Sequence, residues 1–142
     1  MSGSLRAVVV GTGMIGAVHA TAIRSAGGIL AGAVASTPER SARVAKEWDV
    51  PARYPDFDAV LADESVTVVH LCTPNALHFR QAEAALRAGK QVICEKPLAT
   101  SVAATERLTE LADRAGLLLA VPFVYRYHPL VREIRDRRLR QG

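Results

Sequence analysis

Cysteine is scarce, with only Cys72 and Cys94 in 142 residues. Two thiols are too few for the disulfide framework of a small secreted domain, and their separation matches no zinc-ligand pair spacing. Both read as core thiols of a reducing compartment, so a cytoplasmic location is expected. Long hydrophobic runs are also missing. The longest stretch without Lys, Arg, Asp or Glu, from Ala7 to Ile23, falls short of the roughly 20 residues of a membrane-spanning helix and is broken by glycines. No membrane segment is expected. Ala17-Val18-His19-Ala20 imitates the cleavage site of a secretory signal, but the glycine spacing just before it points elsewhere. Aromatic residues make up 5% of the chain and are not interleaved with the basic ones. The formal excess of +4 comes entirely from residues 126–142, where six arginines face Glu133 and Asp136; residues 1–125 carry twelve basic and twelve acidic groups. Such a terminal helix reads as a solvated or partner-facing surface, and no nucleic-acid partner is expected.

What is present is a soluble, globular balance of 49% hydrophobic and 23% charged residues, enough for one core. Short apolar runs alternate with segments of helical period along the whole length. The runs Arg6 to Val10, Leu30 to Ala35, Thr67 to Cys72, Gln91 to Cys94 and Leu117 to Val121 are continuously apolar, as strands covered on both faces should be. A weaker strand is expected near Ala52 to Tyr54. Between them, Ile15, Val18, Ala22, Ile23 and Ala26 mark one helix face, and Val44, Ala45 and Trp48 a second. Phe79, Ala82 and Leu86 mark another, ended by Gly89; Ala104, Leu108, Leu111, Ala112 and Ala115 mark the next, ended by Gly116. This is an α/β pattern, and right-handed crossovers favour a doubly wound parallel sheet of Rossmann type, order 3-2-1-4-5-6. Residues 1–122 form that domain. Residues 123–142 form a basic lead-out helix opened by Pro129, whose apolar face, Leu130, Val131, Ile134 and Leu139, has nothing in the chain to pack on. A second, substrate-binding domain beyond Gly142 is therefore expected.

Gly11-Thr12-Gly13-Met14-Ile15-Gly16 follows the first strand and opens the first helix. Gly11 permits the tight turn, Gly13 lets the backbone approach a pyrophosphate, and Gly16 lets helix and strand pack closely. The helix N-terminus offers free N–H groups and a positive dipole end. About 20 residues further on, dinucleotide folds of this kind usually place a carboxylate for the ribose hydroxyls. Here that region reads Ala35-Ser36-Thr37-Pro38-Glu39-Arg40, with no acid at the strand end. Ser36, Thr37 and Arg40 suit the 2′-phosphate of NADP, which a carboxylate would repel. Equally, Thr37 before Pro38 is an ordinary N-cap with proline at N1, and Arg40 can simply face water. NADP or NAD is the expected cofactor, with NADP favoured.

Two more turns lie at carboxyl ends of strands, where open α/β sheets bind ligands. One reads Cys72-Thr73-Pro74-Asn75-Ala76-Leu77-His78, the other Glu95-Lys96-Pro97-Leu98-Ala99. With the glycine turn and Tyr125-Arg126-Tyr127-His128-Pro129, they make the whole chain resemble the glucose-fructose oxidoreductase, inositol dehydrogenase and rhizopine-catabolism family. The Glu-Lys-Pro turn is its most specific mark. The resemblance implies an NAD(P)-dependent oxidoreductase of a sugar, cyclitol or related polyol. Cys72, Thr73, Pro74 and Asn75 would then line the cofactor groove, with His78 starting the next helix. Lys96 would be the catalytic lysine, stabilising the alkoxide character of the reacting hydroxyl; Glu95 would place it, Pro97 would fix the turn, and Arg126 would orient substrate or cofactor. As plain residues, His78 reads first as a helix N-terminal histidine and Arg126 equally as the start of the basic tail. The resemblance places the family's acid-base pair in a second domain, so this chain alone is expected to be incomplete for turnover; a homo-oligomer assembled through the missing domain is also expected. Alternatives left open are a dinucleotide-binding regulatory module and an NAD-dependent glycosidase of the same fold.

Overall fold

The computed structural model describes residues 5–141; residues 1–4 and Gly142, the outer limits of the expected domains, lie outside the described residues. Its elements run β1 (Arg6–Val10), α1 (Met14–Ser25), β2 (Ile29–Val34), α2 (Pro38–Glu47), β3 (Ala52–Arg53), α3 (Phe57–Ala62), β4 (Val68–Leu71), α4 (Asn75–Arg87), β5 (Gln91–Cys94), α5 (Val102–Ala115), β6 (Leu119–Ala120), a 3-10 turn at Val124–Tyr127 and α6 (Pro129–Gln141). The strands form one parallel sheet in the order β3-β2-β1-β4-β5-β6. This is the expected doubly wound order. It reverses direction between β1 and β4, so the loops after these two strands open away from each other and leave a crevice at their carboxyl ends.

Continuous apolar runs become strands because both faces are covered. Val8 and Val10 pack into a core with Val69, Leu71, Val92, Leu86 and Leu108, beneath α4 and α5. Ala7 and Val9 face the other way, toward Ala20, Ile23 and Leu30. Local signals set the helix limits. Ser101 caps α5, its Oγ accepting from Ala104 N at 3.2 Å, and Gly116 ends it in the left-handed region at φ +64. Gly89 does the same beyond α4 at φ +73.

Two local expectations are corrected, and one further element is present. Of the five residues assigned to the inner face of α1, only Ile23 is buried; Val18 is 55% exposed, and Ile15, Ala22 and Ala26 face solvent as well. The buried face is Gly16, His19, Ala20 and Ile23. Gly16 must lie against the β1 turn, which rotates the helix, and the inward place one turn later goes to a histidine that finds polar partners there. The helix α3 was not anticipated, being too short for a periodic signal; Asp56 caps it, accepting from Ala59 N at 2.9 Å. The last strand shrinks to Leu119–Ala120, both half-buried, because it is an edge strand paired only with β5.

The lead-out helix α6 is exposed along its length, with Leu130 and Ile134 each 67% and Leu139 76% accessible. Its charges are partly internal: Glu133 accepts from Arg137 at 2.7 Å and Asp136 from Arg135 at 2.9 Å.

Candidate functional site

The carboxyl ends of β1, β2 and β4 enclose a cavity of about 690 Å³, within the size range of small-molecule and cofactor sites. Its floor is the glycine turn, Gly11, Thr12 and Gly13; one wall is Val34, Ala35, Ser36, Thr37 and Arg40, and the other Cys72, Thr73 and Pro74.

The three glycines face different surroundings. Gly11 sits at φ +96, and a Cβ there would lie 2.4 Å from the Cys72 carbonyl oxygen. A Cβ on Gly16 would meet the Gly11 carbonyl oxygen at 2.1 Å. Both glycines are demanded by the protein's own backbone. Gly13 is different: its φ of −74 suits any residue, and a Cβ would meet nothing within 4 Å. Neither fold nor strain requires a glycine at this position on the cavity floor.

The same position begins α1, whose first internal bond runs from Ala17 N to Gly13 O at 3.1 Å and which has no side-chain cap. By contrast, α2, α3 and α5 are capped by Thr37, Asp56 and Ser101. The first-turn N–H groups of α1 and its dipole therefore remain available to an anion at the crevice.

On the β2 wall, no carboxylate ends the strand. The Arg40 guanidinium donates to Ser36 Oγ at 3.1 Å, so it leans along the cavity edge. Thr37 is engaged as the N-cap of α2, its Oγ1 accepting from Arg40 N at 3.3 Å, with Pro38 following. Ser41, which sequence reasoning missed, is 1% exposed; its hydroxyl accepts from Ala35 N at 2.9 Å and donates to Thr37 O, holding this turn open. Pro55, Asp56, Phe57, Leu77 and Gln81, with Val10 and Pro38, complete the lining. Pro55 and Asp56 come from the short β3–α3 connection and Phe57 from the first position of α3, none of them marked by apolar periodicity.

On the β4 wall, Thr73 Oγ1 donates to Gln81 Oε1 at 2.5 Å. Cys72 is buried, and burial together with the Glu95 charge pushes its thiol up to about 12, so it stays neutral. His78 lies in the first turn of α4 with no exposed surface. Its Nδ1 is 2.7 Å from the Pro97 carbonyl oxygen and its Nε2 2.8 Å from that of Thr73. Both partners are carbonyl oxygens, and the ring bridges the space between them. His78 thus ties the turn after β4 to the turn after β5 and does not itself line the cavity.

The turn after β5 holds an exposed Lys96, with a cis bond to Pro97. Glu95 is anchored through its backbone, N to Leu71 O at 2.9 Å, and its Oε2 accepts from Lys96 N at 3.3 Å. Lys96, Glu95 and Asn75 lie outside the cavity lining, as do Met14 and Ile15, exposed at the start of α1. Arg126 is exposed in the 3-10 turn and is not brought to the cavity.

Residues 5–123 match the family described as Oxidoreductase family, NAD-binding Rossmann fold. The chain belongs to this family. Among its relatives, D-xylose 1-dehydrogenase (NADP(+)) 2 of Haloferax volcanii is 37% identical over 123 residues, which is 86% of this chain and 38% of that enzyme. The structure of UDP-N-acetylglucosamine 3-dehydrogenase from Acidithiobacillus ferrooxidans superimposes with TM-score 0.83 at 34% identity, covering 94% of this chain and 43% of that one. A 3-ketoreductase from Actinomadura kijaniata, solved with TDP-benzene and NADP, gives TM-score 0.87 at 29% identity, with the same coverage of both chains. The chain thus spans about two fifths of the length of these relatives and corresponds to an NAD(P)-binding Rossmann domain. Among the described residues, no helix is long and apolar enough to cross a membrane.

Proposed function

We propose that this chain is the cofactor-binding domain of a cytoplasmic NADP-preferring dehydrogenase that acts on a CH–OH group of a sugar or related polyol. The observation that carries the reading is Gly13, a glycine on the cavity floor that neither the backbone conformation nor any neighbouring atom demands. A ligand that must approach the backbone closely supplies the missing reason. Gly11 and Gly16 shape the turn, the uncapped start of α1 receives the pyrophosphate, and Thr12, Met14 and Ile15 present their backbone to it.

At the other end of the crevice, Ser36 and Arg40 receive the 2′-phosphate; Thr37, already a cap, contributes its position more than its hydroxyl. Cys72, Thr73, Pro74 and Asn75 border the ribose and nicotinamide side, and His78 holds that border against the Glu95–Lys96 turn. The nicotinamide, when bound, supplies the hydride chemistry. Lys96 donates a hydrogen bond to the reacting hydroxyl oxygen and stabilises negative charge as its proton leaves. Arg126 belongs to the substrate side, after the residue 122 boundary. Substrate walls and subunit contacts lie in the part of the relatives' length that this chain does not span. The sugar-nucleotide and pentose substrates named for the relatives support the substrate class.

Calorimetric titration with NADP and NAD tests the preference. Binding of both with NADP at least as tight is expected, and NAD binding about tenfold tighter, worth about 1.4 kcal/mol, refutes it.

A further inference from the structure

His19 and His70 are two buried histidines that the proposed chemistry leaves unused. His19 projects inward from α1, 7% exposed, and His70 from the centre of β4, 8% exposed. Their Nδ1 atoms are 2.9 Å apart and the rings meet edge to face, centroids 5.1 Å apart at 88°. The other ring nitrogen of His19, Nε2, lies 3.1 Å from Glu95 Oε1. The Glu95 side chain is only 13% exposed, and its second oxygen accepts from the backbone of Lys96.

A single hydrogen-bonded line therefore runs from the core of β4, through the phosphate-side helix, to the turn that carries Lys96. Its donors and acceptors are constrained. A carboxylate accepts, so His19 carries hydrogen on Nε2, and the Nδ1 pair shares one hydrogen between two nitrogens. Burial, reinforced by the His19 charge, holds His70 down to about 4, so His70 is the neutral partner in this bond. Among the described residues, His19 is the one charge that acts on His70. The strands β1 and β2 turn only apolar residues toward α1; Arg6 acts on Tyr54 across the sheet, and Cys72 is a neutral thiol.

We propose that His19, seated by His70, is a positioning residue for Glu95, fixing the Glu95–Lys96 turn relative to the phosphate-binding helix and so governing the nicotinamide half of the site alone. The inference rests on the dinucleotide reading above. Without the imidazole, a nearly buried carboxylate oxygen loses its donor, and Glu95 must turn outward or give up its bond to Lys96 N. The phosphate-binding backbone of α1 is untouched, because Gly11, Gly13 and Gly16 keep their own contacts.

The test uses the 142-residue chain and two ligands, NADPH and 2′-phospho-ADP, which keeps the adenosine and pyrophosphate but lacks the nicotinamide riboside. His19→Phe retains a buried ring without nitrogens; His19→Gln restores an N–H near the Nε2 position. His19→Phe is expected to weaken NADPH binding about tenfold while leaving 2′-phospho-ADP unchanged, and His19→Gln to recover most of the loss. Equal weakening of both ligands, or of neither, overturns the inference while leaving the dinucleotide reading intact. Failure of the unaltered chain to bind either ligand refutes that reading and this inference with it. Should His19→Phe not fold, the ring-nitrogen NMR signals of unaltered His19 decide. They are expected to show a protonated Nε2 that shifts with NADPH and not with 2′-phospho-ADP, and a shift with both or neither overturns the proposal.

Discussion

Gly11 and Cys72 are in closer backbone contact than a side chain would allow: a Cβ on Gly11 would stand 2.4 Å from the Cys72 carbonyl oxygen and 2.8 Å from Thr73 N. The contact locks the turn after β1 to the turn after β4, the two lips of the crevice. Gly11→Ala adds this overlap to a left-handed backbone, so a stability loss of about 2–4 kcal/mol is expected. Urea unfolding measures it, and an unchanged midpoint would show that the lips are not held this way.

That lock was legible in the sequence only as spacing. The strand order and the glycine turn followed from continuous apolar runs and from Gly11, Gly13 and Gly16, whose signals are local. The buried face of α1 was not legible, since its decisive inward residue, His19, is polar and its partners His70 and Glu95 lie 51 and 76 residues away. The cavity wall formed by Pro55, Asp56 and Phe57 was hidden for a similar reason, because a six-residue helix gives no period to read. Ser41 shows the same limit: only the folded turn places its hydroxyl between Ala35 N and Thr37 O.

Removing the His78 ring should lower stability. His78→Leu fills the space with an apolar side chain of comparable bulk but removes the ring's hydrogen bonding between the Thr73 and Pro97 carbonyls, an expected loss of about 1–3 kcal/mol. Thermal unfolding checks this, with loss below about 1 kcal/mol showing that water or neighbouring groups replace the tie.

His70 makes stability pH-dependent in one window. Its folded value is lowered from 6.5 to about 4, chiefly by burial and then by the His19 charge. Below pH 6.5 the unfolded chain takes up a proton that the folded chain refuses until about pH 4. The stabilisation present above 6.5 is therefore lost as pH falls through this window, by about 3 kcal/mol in all. His70→Phe should flatten the slope of unfolding free energy between pH 6.5 and 4.5; an equally steep slope in the variant would assign the dependence to other groups.

Arg40 is held along the cavity edge by Ser36; β2 ends without a carboxylate, and Asp56, in the same lining, is engaged as the cap of α3. Arg40→Ala should weaken NADP about tenfold to a hundredfold by removing a charge-assisted contact to the 2′-phosphate. NAD affinity should stay within about threefold. Equal effects on both cofactors, read by calorimetry, would remove Arg40 from cofactor discrimination.

The central claim is that Gly13 is a glycine for the sake of a ligand. Titration of NADPH into the unaltered chain and into Gly13→Val, followed by nicotinamide fluorescence with the unfolding midpoint recorded for each, tests it most directly. The account predicts saturable one-to-one binding to the unaltered chain and none to Gly13→Val. The variant should unfold within about 1 kcal/mol of the original, since its side chain enters space that no protein atom occupies. Undiminished binding by Gly13→Val, or its loss only through unfolding, would contradict the account.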